Sequence, residues 1–322
     1  MRTVEAMAGS ADRSSAALAS FVRVLRESAK ASHPTDPVGS GLVRIGHPVR
    51  MTVAHTVRER RPAPALARHV TCVWAQTVSP HSTAFTHRKA PNGSVELVCA
   101  VGSMPRILGP QTSPIEETLA PGTTIVGVRL RPEAAASVLG LPSRALVDLT
   151  LGADELWGDR GVALQELVGV AGSVEEAAAH LQRTVAERLT GATAPDPVVA
   201  EGVRRLTSGR RAGVASMASS LFISERQLRR RFEAATGLTP TTLHRILRFQ
   251  RFLALAWTSE RPSTQIGRLA LEAGYHDQAH LNREAARLEG RSPRAFLSES
   301  EQRCGCGHDH AASYAPLLRH RS

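Results

Sequence analysis

The sequence has no run of about 18 consecutive apolar residues, the length that a membrane-spanning helix needs. Its N-terminus carries Glu5 and Asp12 where the apolar centre of a signal peptide would lie. It also has only four cysteines in 322 residues, too few for the disulfide framework of a secreted domain. These absences predict a soluble, cytoplasmic protein with reduced thiols and no membrane partner.

Motifs of enzyme chemistry are missing as well. The sequence shows no nucleophile with a placed base, no glycine-rich phosphate loop and no zinc-binding helix motif. We therefore expect neither an enzyme nor a bound cofactor.

Positive charge is concentrated in one part of the chain. Residues 201–298 contain 17 basic and 8 acidic residues, whereas residues 51–200 contain 13 and 14. Only Lys30 and Lys89 are lysines, and the planar guanidinium of arginine suits phosphates and guanine edges. A genome rich in G and C would raise the arginine content equally. A basic segment beside a neutral one indicates a polyanion-binding module joined to a domain with another task.

Apolar patterns and turn signals divide the chain into five segments. Between Val70 and Arg131, short apolar runs alternate with Pro and Gly turns, which predicts strands. The stretch TGATAPDP has linker chemistry, and the pattern beyond it is helical. The predicted segments are a mobile leader (1–50), a β-rich sensor or dimerisation domain (51–190), a linker (191–197), an all-α domain (198–298) and a Cys/His-containing tail (299–322).

The helical segment contains a helix-turn-helix pattern. A short helix over Val214–Leu221 is followed by a turn, and Ser224 is placed to cap a second helix that Gly237 ends. Leu228 and Phe232 lie four residues apart and face the core. The face left exposed then carries three arginines: Arg226, Arg229 and Arg230.

The same pattern returns about fifty residues later. Ile266–Ala273 forms its first helix, and Asp277 caps a second helix over Gln278–Leu288. One long helix, Thr241–Trp257, joins the two units and fixes their spacing. The fold class predicted is therefore α+β, a β-rich domain followed by an all-α domain. The exposed candidates of the second unit are Gln278, Ala279, His280, Asn282 and Arg283.

These residues resemble the C-terminal DNA-binding domain of the AraC/XylS family of transcription regulators. The resemblance covers about Asp196–Leu297 and rests on SERQLRRRFEAATGLTP, RILRFQRFL and LALEAGYHDQAHLNREAARLEGRSPRAFL. It implies a sequence-specific DNA-binding regulator of transcription, with RNA polymerase as a further partner if it activates. The implied base contacts come from Arg226, Arg229, Arg230, Gln278, His280 and Arg283.

One position departs from the family pattern. Ala285 stands in the second unit where the family commonly has an aromatic residue. An uncompensated loss of the ring would cost about 3–5 kcal/mol of core packing. We therefore expect the second unit to be looser than the first and to contribute less to binding.

The N-terminal domain resembles, more weakly, sensor domains that precede such DNA-binding domains, through APNGSVELV, GVRLRPEAAASVLG and DELWG. The resemblance implies control by a small-molecule effector or by self-association into a homodimer. Trp74, Glu96, Arg129 and Arg131 are the candidates for an effector pocket, although a core tryptophan and an outward-facing strand glutamate are the plainer interpretations.

Three alternatives remain. The tail offers Cys304, Cys306, His308 and His310, but so tight a spacing would strain a zinc site, so we expect a disordered, metal-free tail rather than metal or redox sensing. A DNA-repair alkyl acceptor would need Cys72 or Cys99 to be reactive. An architectural protein would bind DNA by charge alone.

Overall fold

The computed structural model describes residues 55–83, 85–209, 213–303 and 309–318. The predicted leader, residues 1–50, lies outside this part of the chain, as do Cys304, Cys306 and His308.

Eight strands form the first domain: β1 (His55–Arg60), β2 (Val70–Val78), β3 (Phe85–Lys89), β4 (Glu96–Ala100), β5 (Arg106–Leu108), β6 (Ile115–Leu119), β7 (Thr124–Leu130) and β8 (Thr150–Gly152). Six make one antiparallel sheet in the order β1-β2-β7-β4-β5-β8, while β3 and β6 pair in a separate ribbon. Side chains of β7 alternate between the two faces. Val126 and Val128 join the large core of the domain, whereas Ile125 packs with Val98 on the other face. Both faces of the sheet are therefore covered.

Four helices complete this domain: α1 (Ala135–Leu139), α2 (Ala153–Trp157), α3 (Asp159–Gly169) and α4 (Val174–Leu189). Helices α3 and α4 are separate, because α3 ends at Gly169 and Ser173 starts a new helix by accepting a hydrogen bond from the Glu176 N–H. Leu181 and Val185 of α4 are buried in the core of the domain.

The second domain is helical: α5 (Pro197–Thr207), α6 (Val214–Ser220), α7 (Glu225–Thr236), α8 (Pro240–Trp257), α9 (Ile266–Ala273), α10 (Gln278–Leu288) and α11 (Pro293–Arg303). The predicted fold class, a β-rich domain followed by two helix-turn-helix units on one long helix, is confirmed. Phe232 and Phe249 are fully buried in its core. A Cβ at Gly202 would lie 2.6 Å from the Phe232 ring, so α5 approaches α7 as closely as glycine allows.

The last described segment, Asp309–Leu318, returns to the first domain, and we call it the C-terminal strap. Asp309 N–H donates to the Val57 carbonyl (3.1 Å), and Glu59 N–H donates to the Asp309 carbonyl (3.0 Å). Helix α12 (Ala311–Leu318) then packs against α8, β1 and β2. The expectation of a disordered tail is wrong for these residues, because their backbone pairs with the exposed edge of β1.

The two domains also contact each other directly. The Ser143 hydroxyl donates to the Ala235 carbonyl at the end of α7 (2.7 Å), and Gln250 of α8 donates to the Pro91 carbonyl (2.7 Å). Within the described ranges, none of the helices combines the length and apolar character of a membrane span.

Candidate functional site

Helix α7 presents its arginines on one solvent-exposed face. Arg226, Arg229 and Arg230 are exposed, and the structure shows no ion pair for them with any described residue. Arg231, on the same helix, differs because it lies 3.6 Å from Asp196, the residue that caps α5. Three guanidinium groups are therefore left uncompensated on one side of the helix.

The N-terminus of α7 is rigidly capped. The Ser224 hydroxyl accepts from the Gln227 N–H (3.2 Å), and the Gln227 side chain accepts from the Ser224 N–H (3.0 Å). Ser224 is exposed, so it shapes the helix start beside the arginine face.

Phe222, in the turn before α7, is a feature that the sequence did not single out. Its side chain is 96% exposed, and its φ of 55° lies in the left-handed region that non-glycine residues rarely adopt. A phenyl ring held there can make apolar contacts with a thymine methyl group.

The second unit exposes Gln278, Asn282 and Arg283 on α10. His280 is half-buried instead: its ring meets the Tyr275 ring edge-on, with centroids 5.3 Å apart, and its Nε2 lies 3.4 Å from Arg248. Burial and the charge of Arg248 lower the pKa of His280, which favours the neutral imidazole. The ring is thus held in place by its neighbours.

A buried carboxylate fastens α10 to the long helix. Glu284 lies 2.9 Å from Arg245 and 3.8 Å from Arg248, both on α8, and 3.4 Å from Arg287. The pairing of Glu284 with two arginines one helical turn apart was not anticipated from the sequence. It joins α10 to α8 through charge-assisted contacts at a buried position.

The expected gap beside Ala285 is absent. Ala285 is only 1% exposed, whereas a cavity of the size of a water molecule beside it would leave part of its surface uncovered. Tyr275, Leu281 and Leu288 are buried in the same core. The second unit is closed, and the premise of a looser core is wrong.

We therefore expect Ala285→Phe to destabilise the protein by about 1–3 kcal/mol, because a ring must displace packed neighbours. The midpoint of urea unfolding measures the change. Ala286→Phe, at an exposed position next to it, is the matched control and should leave the midpoint nearly unchanged. A higher midpoint for Ala285→Phe would show that the site has open space.

A cavity of about 370 Å³ lies between the two domains. The first domain contributes one face of its sheet and the β3–β6 ribbon. The second domain contributes Gln250, Leu253 and Trp257 of α8, and the strap contributes His310 and Tyr314. A molecule bound here would touch both domains.

Two of the four predicted effector residues, Trp74 and Arg129, line this cavity. Glu96 does not line it but is buried behind it, 1% exposed, where it accepts from Arg129 (2.7 Å), Asn92 (2.6 Å) and Lys89. Arg131 lies elsewhere and donates to the Ala67 carbonyl, so its assignment to the pocket is wrong.

Buried ion pairs hold the rear wall of the cavity. Burial alone would raise the pKa of Glu96, but Lys89 and Arg129 outweigh it and lower the value to about 2. Burial would likewise raise the pKa of Glu59. His310, Arg129 and Ser313 outweigh burial and lower this pKa to about 2. Both carboxylates are therefore charged at neutral pH.

The strap is anchored on Glu59. Its carboxylate accepts from the Ser313 N–H (2.8 Å) and hydroxyl (2.9 Å), and lies 3.4 Å from His310 Nδ1. The His310 ring stacks obliquely between Trp257 and Tyr314. His310, a candidate metal ligand in the sequence, thus holds the strap in place. The described residues contain no cluster of His, Cys, Asp or Glu that fits a metal ion.

Glu289 connects the cavity with α10, because it directly follows the last residue of that helix and lines the cavity. Burial raises its pKa to about 7, although Arg291 and Arg88 act in the opposite direction. Arg88 Nε lies 3.7 Å from its carboxylate.

Two family models match separate parts of the chain. Residues 58–152 match a family described as a domain of unknown function (DUF6597), and residues 217–299 match a helix-turn-helix domain. No curated protein matches the sequence.

Solved structures of ToxT from Vibrio cholerae are similar at low identity. ToxT from strain O395 is 12% identical, with 67% of this chain and 96% of that chain covered and a TM-score of 0.39. The unsaturated fatty acid bound ToxT of strain SCE256 is 11% identical, with 76% and 94% covered and a TM-score of 0.37.

Proposed function

We propose that this chain, a DNA-binding transcription regulator with an AraC-type helix-turn-helix domain at residues 217–299, recognises specific operators in the cytoplasm. The observation that carries the proposal is the exposed face of α7, where Arg226, Arg229 and Arg230 lack intramolecular ion pairs among the described residues. Phosphates and guanine edges of double-stranded DNA are the complementary partner. Gln278, His280, Asn282 and Arg283 of α10 supply the second contact.

The long helix sets the distance between the two contacts. Helix α8 has 18 residues and is about 27 Å long. Two recognition helices joined by this long helix, which we call the rod, can enter neighbouring major-groove segments of one operator. Glu284, through Arg245 and Arg248, keeps α10 in register with the rod.

We further propose that a small molecule in the interdomain cavity controls DNA binding. Its walls include Gln250 and Trp257 of the rod and Glu289 at the end of α10. A ligand that favours one arrangement of these residues shifts the population of DNA-competent molecules. Self-association is a second form of control, favoured by exposed Val162 and Leu167 of α3 and by Val170 after it.

Neither rival chemistry gains support. Burial raises the pKa of Cys72 to about 12 and that of Cys99 to about 11, so both thiols stay protonated, whereas an alkyl acceptor needs a thiolate. A metal- or redox-sensing tail would have to take His310 away from Glu59.

The salt dependence of DNA binding by the full-length protein tests the proposal. We expect the affinity to fall by about 100-fold or more between 50 and 200 mM salt, because arginines displace counterions from phosphates. Filter retention of labelled duplex DNA measures the loss. An affinity that does not change with salt, or no retention at low salt, would contradict DNA binding through the arginine face.

A further inference from the structure

We propose that the interdomain cavity binds an uncharged molecule of about ten to twenty non-hydrogen atoms, with an apolar ring body and one hydrogen-bond-accepting oxygen such as a ketone. The inference rests on the effector control proposed above and names the chemical class of the effector.

The apolar side chains that line the cavity indicate that most of the ligand is apolar. Val98 and Ile125 of the sheet lie on one side, in the small core that also contains Val78 and Leu119. Leu253 of α8 and Phe296 of α11 contribute from the second domain. Burying a ring between these side chains gains about 25 cal/mol for each Å² of apolar surface removed from water.

A charged ligand would have to break existing ion pairs. Arg129 and Lys89 are bound to Glu96, and Arg129 also lies 3.4 Å from Glu59. Arg88 pairs with Glu116 on the ribbon and with Glu289. A carboxylate would compete with these glutamates for the same cations. An ammonium group approaching Glu289 would be repelled by Arg88 and Arg291, so the walls favour a ligand without charge.

Two buried neutral donors define the polar end of the ligand. Gln76 Nε2 and Trp74 Nε1 are buried and have no hydrogen-bond partner among the described residues. Arg88 Nε and Glu289 Oε2 also lack a hydrogen-bond partner there, but these two charged atoms lie 3.7 Å from each other. Trp74 and Gln76 lie two residues apart on β2, on the same side of the sheet, and both residues line the cavity. Gln76 is only 3% exposed. Buried donors are normally paired, so an oxygen that accepts from them completes the site.

Four biphenyls of nearly equal size test the proposed chemical class of the ligand on the full-length protein. They are 4-acetylbiphenyl, 4-ethylbiphenyl, biphenyl-4-carboxylate and 4-phenylbenzylammonium. Calorimetry or quenching of tryptophan fluorescence gives the four affinities. We expect the ketone to bind at least about tenfold more tightly than each of the other three, since it alone is neutral and carries an acceptor. Tighter binding of the anion, the cation or the hydrocarbon would overturn the inference but leave effector control standing. If none of the four binds, both proposals fail.

Substitution of a buried donor distinguishes binding in the cavity from adventitious binding elsewhere on the protein. Gln76→Leu should lower the affinity for the ketone about tenfold and leave that for 4-ethylbiphenyl unchanged. Gln165→Leu on α3, outside the cavity, is the matched control. Trp74→Phe removes the second donor and serves if Gln76→Leu fails to fold. Unchanged ketone binding in a folded donor variant would contradict the assignment.

Discussion

Replacing Arg226, Arg229 and Arg230 together by alanine is expected to weaken operator binding by at least about 100-fold. Each guanidinium that contacts guanine or phosphate contributes about 1–3 kcal/mol, and these three are not used in ion pairs with described residues. The fold should survive, because Leu228 and Phe232, not the arginines, pack α7 into the core. Titration of labelled operator at fixed salt measures the loss.

The matched control removes the same charge from the first domain. Arg61→Ala, Arg160→Ala and Arg183→Ala in one protein change three exposed arginines far from α7 in sequence. This control should lose only the small share of affinity that comes from net charge. Equal weakening by both triple variants would mean that charge alone holds the DNA.

The second unit offers a graded comparison. Arg283→Ala alone should reduce affinity less than Arg226→Ala or Arg230→Ala, because α10 presents one exposed arginine among its candidates and α7 presents three. Because the core around Ala285 is closed, the smaller expected effect of Arg283→Ala follows from the number of exposed arginines and not from loose packing of the second unit.

Glu96→Gln is expected to destabilise the first domain by about 3–5 kcal/mol. The substitution leaves Arg129 and Lys89 without their shared buried carboxylate, while Arg129 keeps Glu59 at 3.4 Å. Removing one partner of a buried pair leaves an uncompensated charge in a medium of low dielectric constant. Urea unfolding followed by tryptophan fluorescence reports the change.

Glu117→Gln is the control for this prediction. Glu117 also pairs with an arginine, Arg106, but both side chains are about two-fifths exposed. Ion pairs at that exposure contribute about 0–1 kcal/mol. If Glu96→Gln unfolds at the same urea concentration as Glu117→Gln, the buried network does not stabilise the rear wall of the cavity.

Local signals in the sequence were enough to predict the helical domain. Ser224, Asp277 and Gly237 act over three or four residues, and each takes the capping role expected of its residue type. The structure places α9 and α10 at the predicted bounds, and α8 starts one residue earlier than expected, at Pro240. Periodicity suffices where the contacts that decide a structure are local.

Contacts between distant segments could not be predicted in this way. Asp309 meets Val57 and Glu59 across some 250 residues, and no local pattern marks the edge of β1 as the binding site of the strap. The cavity depends equally on remote partners, since Trp74 and Trp257 line it from different domains. Ala285 shows the same limit, because whether a small residue leaves a void depends on the whole core around it, which a single aligned position cannot reveal.

The ratio of specific to non-specific DNA affinity decides whether this protein recognises particular operator sequences. Full-length protein is used to select binders from random-sequence duplex DNA, and the affinities for the selected and a scrambled sequence are compared at one physiological salt concentration. A sequence-specific regulator predicts a selected motif and a ratio of about 1,000 or more. Selection of no motif, with a ratio near one, would contradict the account and favour an architectural protein held to DNA by charge alone.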